Sequence, residues 1–433
     1  MATKTKYSHA FLVGNFNGQI TPQQLNSTLW KKVDNTKDYS WICSIYYQGH
    51  VDAMLDSNKN RPAFLRNVCH YKLAFEEQST DGKMIEGKKV SMVLEKNMGK
   101  DVFTYTFRLI GLHLYFFPLN TTFIAIEIDD TGTELDNLTA AHSSMVLSKT
   151  YNRDEIKSIF SSLSSFLPSD DFSLILGSGN KFKLYQVIEI ETKEITDSLL
   201  YEIGTSSPIG CVGTNHQLAP SKSYYDNIMK TNIISAFNDW KGLALMDSFT
   251  MISNAEKRED WSWEQHFYLW NNHYFELIYL RGLLEKTFCF SRNSAYRMDE
   301  NTHNLSQEVS DMERYYFYDK ISYNFLPNLL YKAIAKGMEL KEEREELSKQ
   351  IKERTKQEDE KKKEKEENRR DIITLGLSIF AVFSIAWDLC SLVKDAYTSE
   401  YAHETALAIF WCAIGIILIL AAYIFVIKKY ANK

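Results

Sequence analysis

Two apolar stretches near the end of the chain decide its fold: IITLGLSIFAVFSIAWDLCSLV at residues 372–393 and ALAIFWCAIGIILILAAYIFVI at residues 406–427. The first stretch contains a single charged side chain, Asp388, and the second contains none. Each holds about 22 residues, which as a helix extend roughly 33 Å and can cross a hydrocarbon core of about 30 Å. Because the two stretches lie close together and are bounded by charged residues, they predict a membrane hairpin of two transmembrane helices.

Basic residues precede the first span of this hairpin and follow the second. They are Lys361, Lys362, Lys363, Lys365, Arg369 and Arg370 before the first span, and Lys428, Lys429 and Lys433 after the second. The connection at 394–405 is acidic instead, with Asp395, Glu400 and Glu404 against Lys394. Lys and Arg near a span are retained in the cytoplasm, so we expect both termini to be cytoplasmic, an external loop at 394–405 and a basic cytoplasmic tail at 428–433.

Composition limits what the rest of the chain can be. Of 433 residues, roughly 335 remain outside the hairpin and its approach, enough for one large domain or two ordinary ones. The net charge of -6 comes with no basic patch, so we expect no direct binding to nucleic acid. The apolar run at 10–13 is too short for a signal peptide. The six cysteines lack paired spacing, which predicts free thiols in a reducing compartment and no metal site.

Residues 1–200 have the pattern of a cytoplasmic α/β domain with a mixed sheet. Runs rich in β-branched and aromatic residues predict strands at 10–13, 41–47, 68–75, 89–95, 102–109, 112–117 and 123–128. Residues 118–121 read as a hairpin connection. Helices are predicted at 134–149 and 154–166, and a second hairpin at 172–176 and 182–190.

From residue 201 the pattern becomes helical, and 201–327 is predicted to be the helical part of the soluble domain. Apolar residues at three and four spacing predict helices over 221–249, 260–290 and 305–322, with Pro327 ending the last. Asn328 is then placed to cap a helix that continues through a charged stalk (328–371) into the first span. If unbroken, that helix has about 65 residues and is close to 100 Å long.

The middle of this helix is almost entirely charged. Roughly three quarters of residues 341–371 are Lys, Arg, Glu or Asp, with the two signs nearly balanced. A two-stranded coiled coil is disfavoured because no apolar heptad persists beyond Ile351. A rigid stalk held by ionic pairs and a flexible linker both remain open, and the unbroken run of helix-forming residues favours the stalk.

Polar residues of the first span share one side of an ideal helix. Seven side chains fall within an arc of roughly 140°, with Ile385 among them: Thr374, Ser378, Ala381, Ser384, Asp388, Ser391 and Asp395. An Asp that faced lipid would cost at least about 2.5–3.5 kcal/mol. A ring of such helices would line a cation-favouring pore with Ile385 as an apolar constriction. The alternative is that the small polar residues only pack helices together.

The soluble part offers few candidate ligand residues. Thr205, Ser206 and Ser207 lie in a Gly-bounded segment (204–213) that could cradle a phosphate, but its spacing matches no known phosphate loop, and an ordinary connection is the alternative. Arginines that could meet phosphate are Arg61, Arg66, Arg153, Arg281, Arg292 and Arg297.

An aromatic block lies further along the chain. Trp261, Trp263, Phe267, Trp270 and Tyr274 could stack on an adenine or could simply form core. The seven-residue separation of His266 and His273 argues against zinc on one helix. We find no nucleophile motif and no paired carboxylates, which favours a sensor over an enzyme.

This order of parts resembles the CorA superfamily of two-span divalent cation channels. The resemblance covers the soluble domain, the long helix, both spans, the acidic external loop and the basic tail. The family's Gly-Met-Asn at the external end of the first span is missing, because that region reads Asp388-Leu-Cys-Ser-Leu-Val-Lys-Asp395. A similar tripeptide, Gly337-Met338-Glu339, lies before the stalk and not at the external end of the span, so it does not support the resemblance. The chain is most similar to the divergent CorA-like effectors associated with type III CRISPR systems.

That resemblance implies a membrane effector of prokaryotic antiviral defence. Its subunits would form a symmetric homo-oligomer, a pentamer, in the lipid of a bacterial inner membrane. A nucleotide second messenger, S-adenosylmethionine-AMP or a cyclic oligoadenylate, would bind the cytoplasmic domain and open the pore, and no other cofactor is implied. Two alternatives remain open: a constitutive CorA-type transporter of magnesium or other divalent cations, and a membrane-tethered nucleotide-processing enzyme.

Overall fold

The computed structural model describes residues 3–16, 20–33, 62–78, 84–96, 101–146, 181–257, 272–297, 305–317, 319–396 and 401–431. The chain forms two compact units, Met1–Ser348 and Lys349–Lys433. Several predicted features fall outside the described residues: the strand at 41–47, the helix at 154–166, the strand at 172–176, and the aromatic block from Trp261 to Trp270.

The first unit combines strands and helices along the whole of its length. Its described strands are β1 (Thr5–Asn15), β2 (Lys31–Lys32), β3 (Cys69–Ala74), β4 (Glu76–Gln78), β5 (Met84–Glu86), β6 (Lys88–Lys96), β7 (Asp101–Phe116), β8 (Thr122–Asp129), β9 (Lys183–Ile190), β10 (Ile233–Ile234), β11 (Trp240–Ala244) and β12 (Ser248–Asn254). Its described helices are α1 (Leu135–Val146), α2 (Asp197–Gly204), α3 (Lys222–Thr231), α4 (Leu280–Arg297), α5 (Leu305–Tyr315) and α6 (Phe325–Gly337). A π-helical turn, Phe275–Tyr279, leads directly into α4.

One mixed sheet organises this unit. Within the described residues it has 10 strands, in the order β10-β11-β12-β9-β1-β8-β7-β3-β2, and β6 also pairs with β7. The first half of the long strand β7 pairs with β6 and its second half with β3. Strands β9 and β12 are parallel, and the other pairs are antiparallel. The prediction of an α/β domain with a mixed sheet is therefore confirmed.

Helices cover both faces of the sheet. On one face, aliphatic side chains of the central strands are buried with Ala141 and Met145 of α1. On the other face, aromatic side chains pack against the π-helical turn, and the rings of Phe11 and Phe275 stack with centroids 3.9 Å apart at 2°. Burial on both faces removes the simple polar and apolar alternation from the central strands.

The predicted elements between residues 89 and 146 are largely confirmed. Strands β6, β7 and β8 and helix α1 lie where they were expected. The two strands predicted at 102–109 and 112–117 form one strand with a register shift between Leu109 and Gly111. The connection at 118–121 is a hairpin turn in which Leu119 (φ 58) and Asn120 (φ 57) both have positive φ.

The long helix predicted over 221–249 is wrong. That segment holds the short helix α3, strands β10 and β11 and the first residues of β12, and these strands extend the same sheet beyond β9. Every residue of β12 is buried, and a strand that is buried on both faces has no period-2 pattern to distinguish it from a helix. The helix predicted over 305–322 also ends early, at Tyr315.

The helix expected to start at Asn328 and run unbroken to the first span is interrupted. Asn324 is the N-cap of α6, so Pro327 lies in the first turn, where proline is tolerated. The side chain of Asn328 instead accepts the backbone N–H of Ile321 at 3.0 Å. Helix α6 ends at Gly337, and α7 (Leu340–Ala396, 57 residues) begins after a turn in which Glu339 has φ 57.

The second unit contains the rest of α7 and helix α8 (Tyr401–Ala431). The rings of Phe383 and Phe410 meet edge to face with centroids 6.0 Å apart, and the Cys390 thiol donates to the carbonyl oxygen of Ala406 at 3.3 Å. In the described part of the chain, one helix, Leu340–Leu392, is long and apolar enough to cross a membrane, while the apolar segment Glu404–Ile419 is shorter.

Gly337→Ala should destabilise the first unit. A Cβ atom at this position would lie 2.6 Å from the carbonyl oxygen of Ala244 and 2.9 Å from the backbone nitrogen of Leu245. Because backbone atoms cannot move aside as side-chain tips do, we expect the free energy of unfolding to fall by about 1–3 kcal/mol. Thermal unfolding of the detergent-solubilised protein measures this change.

Gly282→Ala is the matched control. Its Cβ would meet only side-chain atoms, the nearest being Cγ2 of Ile334 at 3.2 Å, and alanine is favoured over glycine within a helix. A smaller change in melting temperature is therefore expected. Equal losses in the two variants would contradict the backbone contact as the cause.

Candidate functional site

A group of ionisable side chains lies buried on the aromatic face of the sheet. Both oxygens of Glu127 are engaged: Oε1 lies 3.0 Å from Nε2 of His9, and Oε2 lies 3.0 Å from Nε2 of His113. Lys72 donates to Oε2 at 2.8 Å. His70 continues the chain, with its Nε2 2.8 Å from Nδ1 of His113. Strands β1, β8, β7 and β3 are thereby linked through side chains.

The chain of polar groups then reaches the helical layer. Tyr115 donates its hydroxyl hydrogen to Oε1 of Glu276 in the π-helical turn at 3.0 Å, and Nδ1 of His70 lies 3.4 Å from the same oxygen. The rings of His70 and Tyr115 stack with centroids 4.1 Å apart. This buried polar network therefore ties the sheet to the helix that covers it.

The charges of the network follow from its burial. Burial lowers the pKa of both His70 and His113, so these imidazoles are neutral at pH 7. Burial alone would raise the pKa of Glu127, but the Lys72 ammonium and the two imidazoles that contact it hold this pKa well below its usual range. Among the described residues no group of three or more His, Cys, Asp and Glu side chains has the geometry to hold a metal ion.

A cavity of about 760 Å³ lies elsewhere in the first unit, at the amino-terminal ends of the parallel strands β9 and β12. Leu184 and Ser248 line it from those strands, and Ile228 lines it from α3. The end of α6 and the first turn of α7 complete its wall, through Gly337 and Glu342. The cavity thus lies where the long helix begins.

The predicted phosphate-cradle residues meet this cavity but do not form a cradle. Thr205 and Ser206 line it. Their backbone N–H groups, however, cap the end of α2: Ser206 donates to the carbonyl oxygen of Ile203 at 3.1 Å, and Ser207 donates to that of Glu202 at 2.8 Å. This is the Schellman pattern, with Ser206 (φ 53) in the left-handed position that glycine normally takes. The alternative of an ordinary connection is favoured.

The other predicted ligand residues are not brought together in the described part of the chain. Arg153 and Arg61 lie outside the described residues. Arg281 is buried and donates from Nε to the carbonyl oxygen of Tyr316 at 2.7 Å, and Arg292 lies 2.9 Å from Glu308. His273 is also buried, and burial lowers its pKa to about 3.

No family model, no curated protein and no solved structure matches this chain. The chemistry of its sites therefore has to be inferred from their geometry.

The start of α7 is held to α4 by ion pairs. Arg344 donates from Nε to Oε1 of the fully buried Glu285 at 2.9 Å. Lys286 lies 2.9 Å from Glu343. Burial raises the pKa of Glu285, and the Arg344 guanidinium opposes this shift. Loss of Arg344 would leave the buried Glu285 without its cationic partner, so this pair helps to fix the start of α7 against α4.

The predicted pore-lining residues all lie on α7. Thr374, Ser378, Ala381, Ile385 and Asp388 are exposed, and Asp395 lies in the last turn, where its side chain is outside the described residues. Ser378 also donates to the carbonyl oxygen of its own helix at Thr374, at 2.8 Å.

A different face of α7 contacts α8. The less exposed positions are Leu375, Ile379, Val382, Ala386 and Cys390. On an ideal helix their centre lies about 150° from the centre of the polar stripe. The polar stripe is therefore left uncovered by α8, and packing within the hairpin does not account for it.

Sequence reasoning missed the buried network, and it singled out Thr205 and Ser206 without predicting the cavity that they line. Their residues come from segments far apart in the chain and share no motif. Gly337, which marks the end of α6 beside the cavity, is a further local signal.

The buried network should make the fold sensitive to acid. The folded-state pKa values of His70 and His113 lie below the unfolded value of about 6.5, so below this pH the unfolded state binds more protons and stability falls. Glu127, whose pKa is lowered, adds a further loss only as pH falls below about 4.3. We expect the melting temperature to fall between pH 7.5 and 5.0.

His70→Phe keeps a ring against Tyr115 and removes one titrating group. The dependence of the unfolding free energy on pH below 6.5 should become shallower by about 1.4 kcal/mol per pH unit. Gln217→Asn, at an exposed side chain without an ionisable group, is the control and should leave the slope unchanged. If His70→Phe keeps the slope of the natural protein, His70 does not titrate as described.

Proposed function

We propose that this protein is a ligand-gated ion channel that acts as a membrane effector of type III CRISPR antiviral defence. A nucleotide second messenger such as S-adenosylmethionine-AMP binds the soluble domain and opens a pore formed by the first spans of several copies. The observation that carries this proposal is the polar stripe of α7, which includes Asp388 and is left exposed on the side away from α8.

An exposed Asp in an apolar helix needs a partner other than lipid. Facing hydrocarbon, Asp388 would cost at least about 2.5–3.5 kcal/mol. Two helices of one chain cannot enclose water, but a symmetric ring of chains can place each stripe on a common axis. Asp388 then forms a ring that attracts cations, and Ile385 forms an apolar constriction one turn away. A pentamer is the assembly that the likeness to CorA channels suggests.

Charge supports an inner-membrane location with two spans and cytoplasmic termini. The basic residues before 372 and after 427 flank the ends that the positive-inside rule retains in the cytoplasm. The apolar part of α8 then forms the second span. The soluble unit faces the cell interior, where a nucleotide messenger is made.

The position of the cavity supports gating by a ligand. The cavity touches the first turn of α7, the same helix that carries the polar stripe. A molecule bound there makes different contacts in states that differ in the position of this turn, which is the requirement for a ligand to shift a conformational equilibrium.

Ion flux into liposomes should depend on the messenger. In vesicles that contain the purified full chain, we expect cation flux only after S-adenosylmethionine-AMP or a cyclic oligoadenylate is added on the side of the soluble unit. Magnesium flux without nucleotide would identify a constitutive transporter instead. Turnover of the nucleotide by the detergent-solubilised protein would identify a tethered enzyme.

Asp388→Asn should change the conducting pathway and leave assembly intact. Removal of the ring of charge lowers cation selectivity or single-channel conductance severalfold, because the ring concentrates cations at the pore. Planar-bilayer recordings measure both quantities, and size-exclusion chromatography with light scattering checks the assembly. Cys412→Ser, at an exposed position on α8, is the control and should conduct like the natural protein. Unchanged currents in Asp388→Asn would remove this residue from the pore.

A further inference from the structure

The cavity at the start of α7 has the size and walls of a small-molecule site. Its volume of about 760 Å³ lies within the range of roughly 300–1,000 Å³ that is typical of ligand pockets. Leu184 and Ile228 supply apolar surface, and the Tyr224 side chain is 54% exposed at the wall. The lining comes from strands, from the ends of four helices and from the first turn of α7, so an occupant would lie among all of them.

Both signs of charge line this cavity. Three acidic residues, Asp247, Glu339 and Glu342, and two lysines, Lys181 and Lys336, are among its lining residues. Helices α1, α2, α3 and α6 all end at the cavity, and their carbonyl ends add partial negative charge. The carboxylates and helix ends favour a cationic group, whereas the lysines favour an anionic one.

The lysines are placed by contacts on the cavity wall. Lys181 and Lys183 both donate to the carboxylate of Asp247. Although burial would raise its pKa, these two lysines hold the pKa of Asp247 below its usual value. Lys336 donates to the carbonyl oxygen of Thr231 at 2.9 Å, which joins the end of α6 to the end of α3. An anionic group of a ligand can replace these partners and accept a hydrogen bond from Lys181 or Lys336.

The turn between α6 and α7, beside the cavity, is held in place at Gly337. Gly337 packs against the backbone of β11, with no room for a Cβ atom. Two residues later, Glu339 holds a left-handed conformation, φ 57, that non-glycine residues rarely adopt. Glu342, on the far side of this turn, faces the cavity together with Asn227 of α3. A ligand held by both would set the position of the first turn of α7 relative to the sheet.

We propose that this cavity is the activating-ligand site, that it takes a small molecule with charges of both signs, and that occupancy reaches α7 through the turn at Glu339. The claim that occupancy opens a pore rests on the proposed function. The claim that the cavity binds a ligand does not, and a binding measurement tests it.

Binding to the full chain in detergent tests the site, with S-adenosylmethionine-AMP as the probe in isothermal titration calorimetry. Glu342→Gln removes a lining charge, and Asn227→Trp fills the cavity from an exposed position on α3. Each should weaken binding at least tenfold. The matched controls are Glu345→Gln and Asp226→Trp, exposed residues of the same helices that do not line the cavity, and they should bind as the natural protein does.

The turn is tested by two variants that lose the same charge. Glu339→Gln and Glu339→Gly should bind the probe equally well, but only glycine frees the backbone at this position. At saturating probe, we expect Glu339→Gly to give at least threefold less liposome flux than Glu339→Gln. Equal flux would overturn the role of the turn.

The outcomes separate the site from the function. If the probe evokes flux and both lining variants bind it normally, the cavity assignment is wrong and the channel proposal stands. If the lining variants lose binding but the natural protein shows no flux, the cavity assignment stands and the channel proposal is wrong. If the natural protein does not bind the probe, the assignment of this ligand to the cavity is overturned.

Discussion

The contact between Gly337 and the backbone of β11 is the constraint on which the turn between α6 and α7 depends. It leaves no room for a side chain at the end of α6, so this helix stops against the sheet. The chain then turns through the left-handed residue Glu339 before α7 begins at Leu340. One close packing contact therefore decides where the long helix starts and places its first turn on the wall of a cavity.

Charged side chains hold the elements around this junction in place. The network centred on Glu127 joins four strands to the π-helical turn that precedes α4, and Glu285 on α4 binds Arg344 on α7. Buried polar groups of this kind add little net stability, since their desolvation offsets their attraction, but each tolerates only one arrangement of partners. They give the helical layer, and with it the start of α7, a defined position on the sheet.

The second unit raises the opposite problem, because the described residues give the exposed Asp388 carboxylate no ion-pair partner. Helix α8 packs on the side of α7 that carries Ala386 and Cys390, and Asp388 lies on the other side. In a membrane such a residue requires protein or water next to it. Self-assembly around a wet axis meets this requirement without any change in the packing between the two helices, which is why the exposed stripe and the proposed channel belong together.

Much of the fold was predictable from local patterns, and the site was not. The runs of β-branched and aromatic residues in β6, β7 and β8, the turn at Leu119 and Asn120, and the apolar run after Ile372 are short-range signals that the sequence by itself determined. Only the tertiary structure decided that β11 and β12 join the sheet, that α6 ends at Gly337, and that Glu342 shares a cavity with Asn227. The physical reason is that doubly buried strands lose their periodicity, while helix ends and cavities arise from contacts between residues distant in the chain.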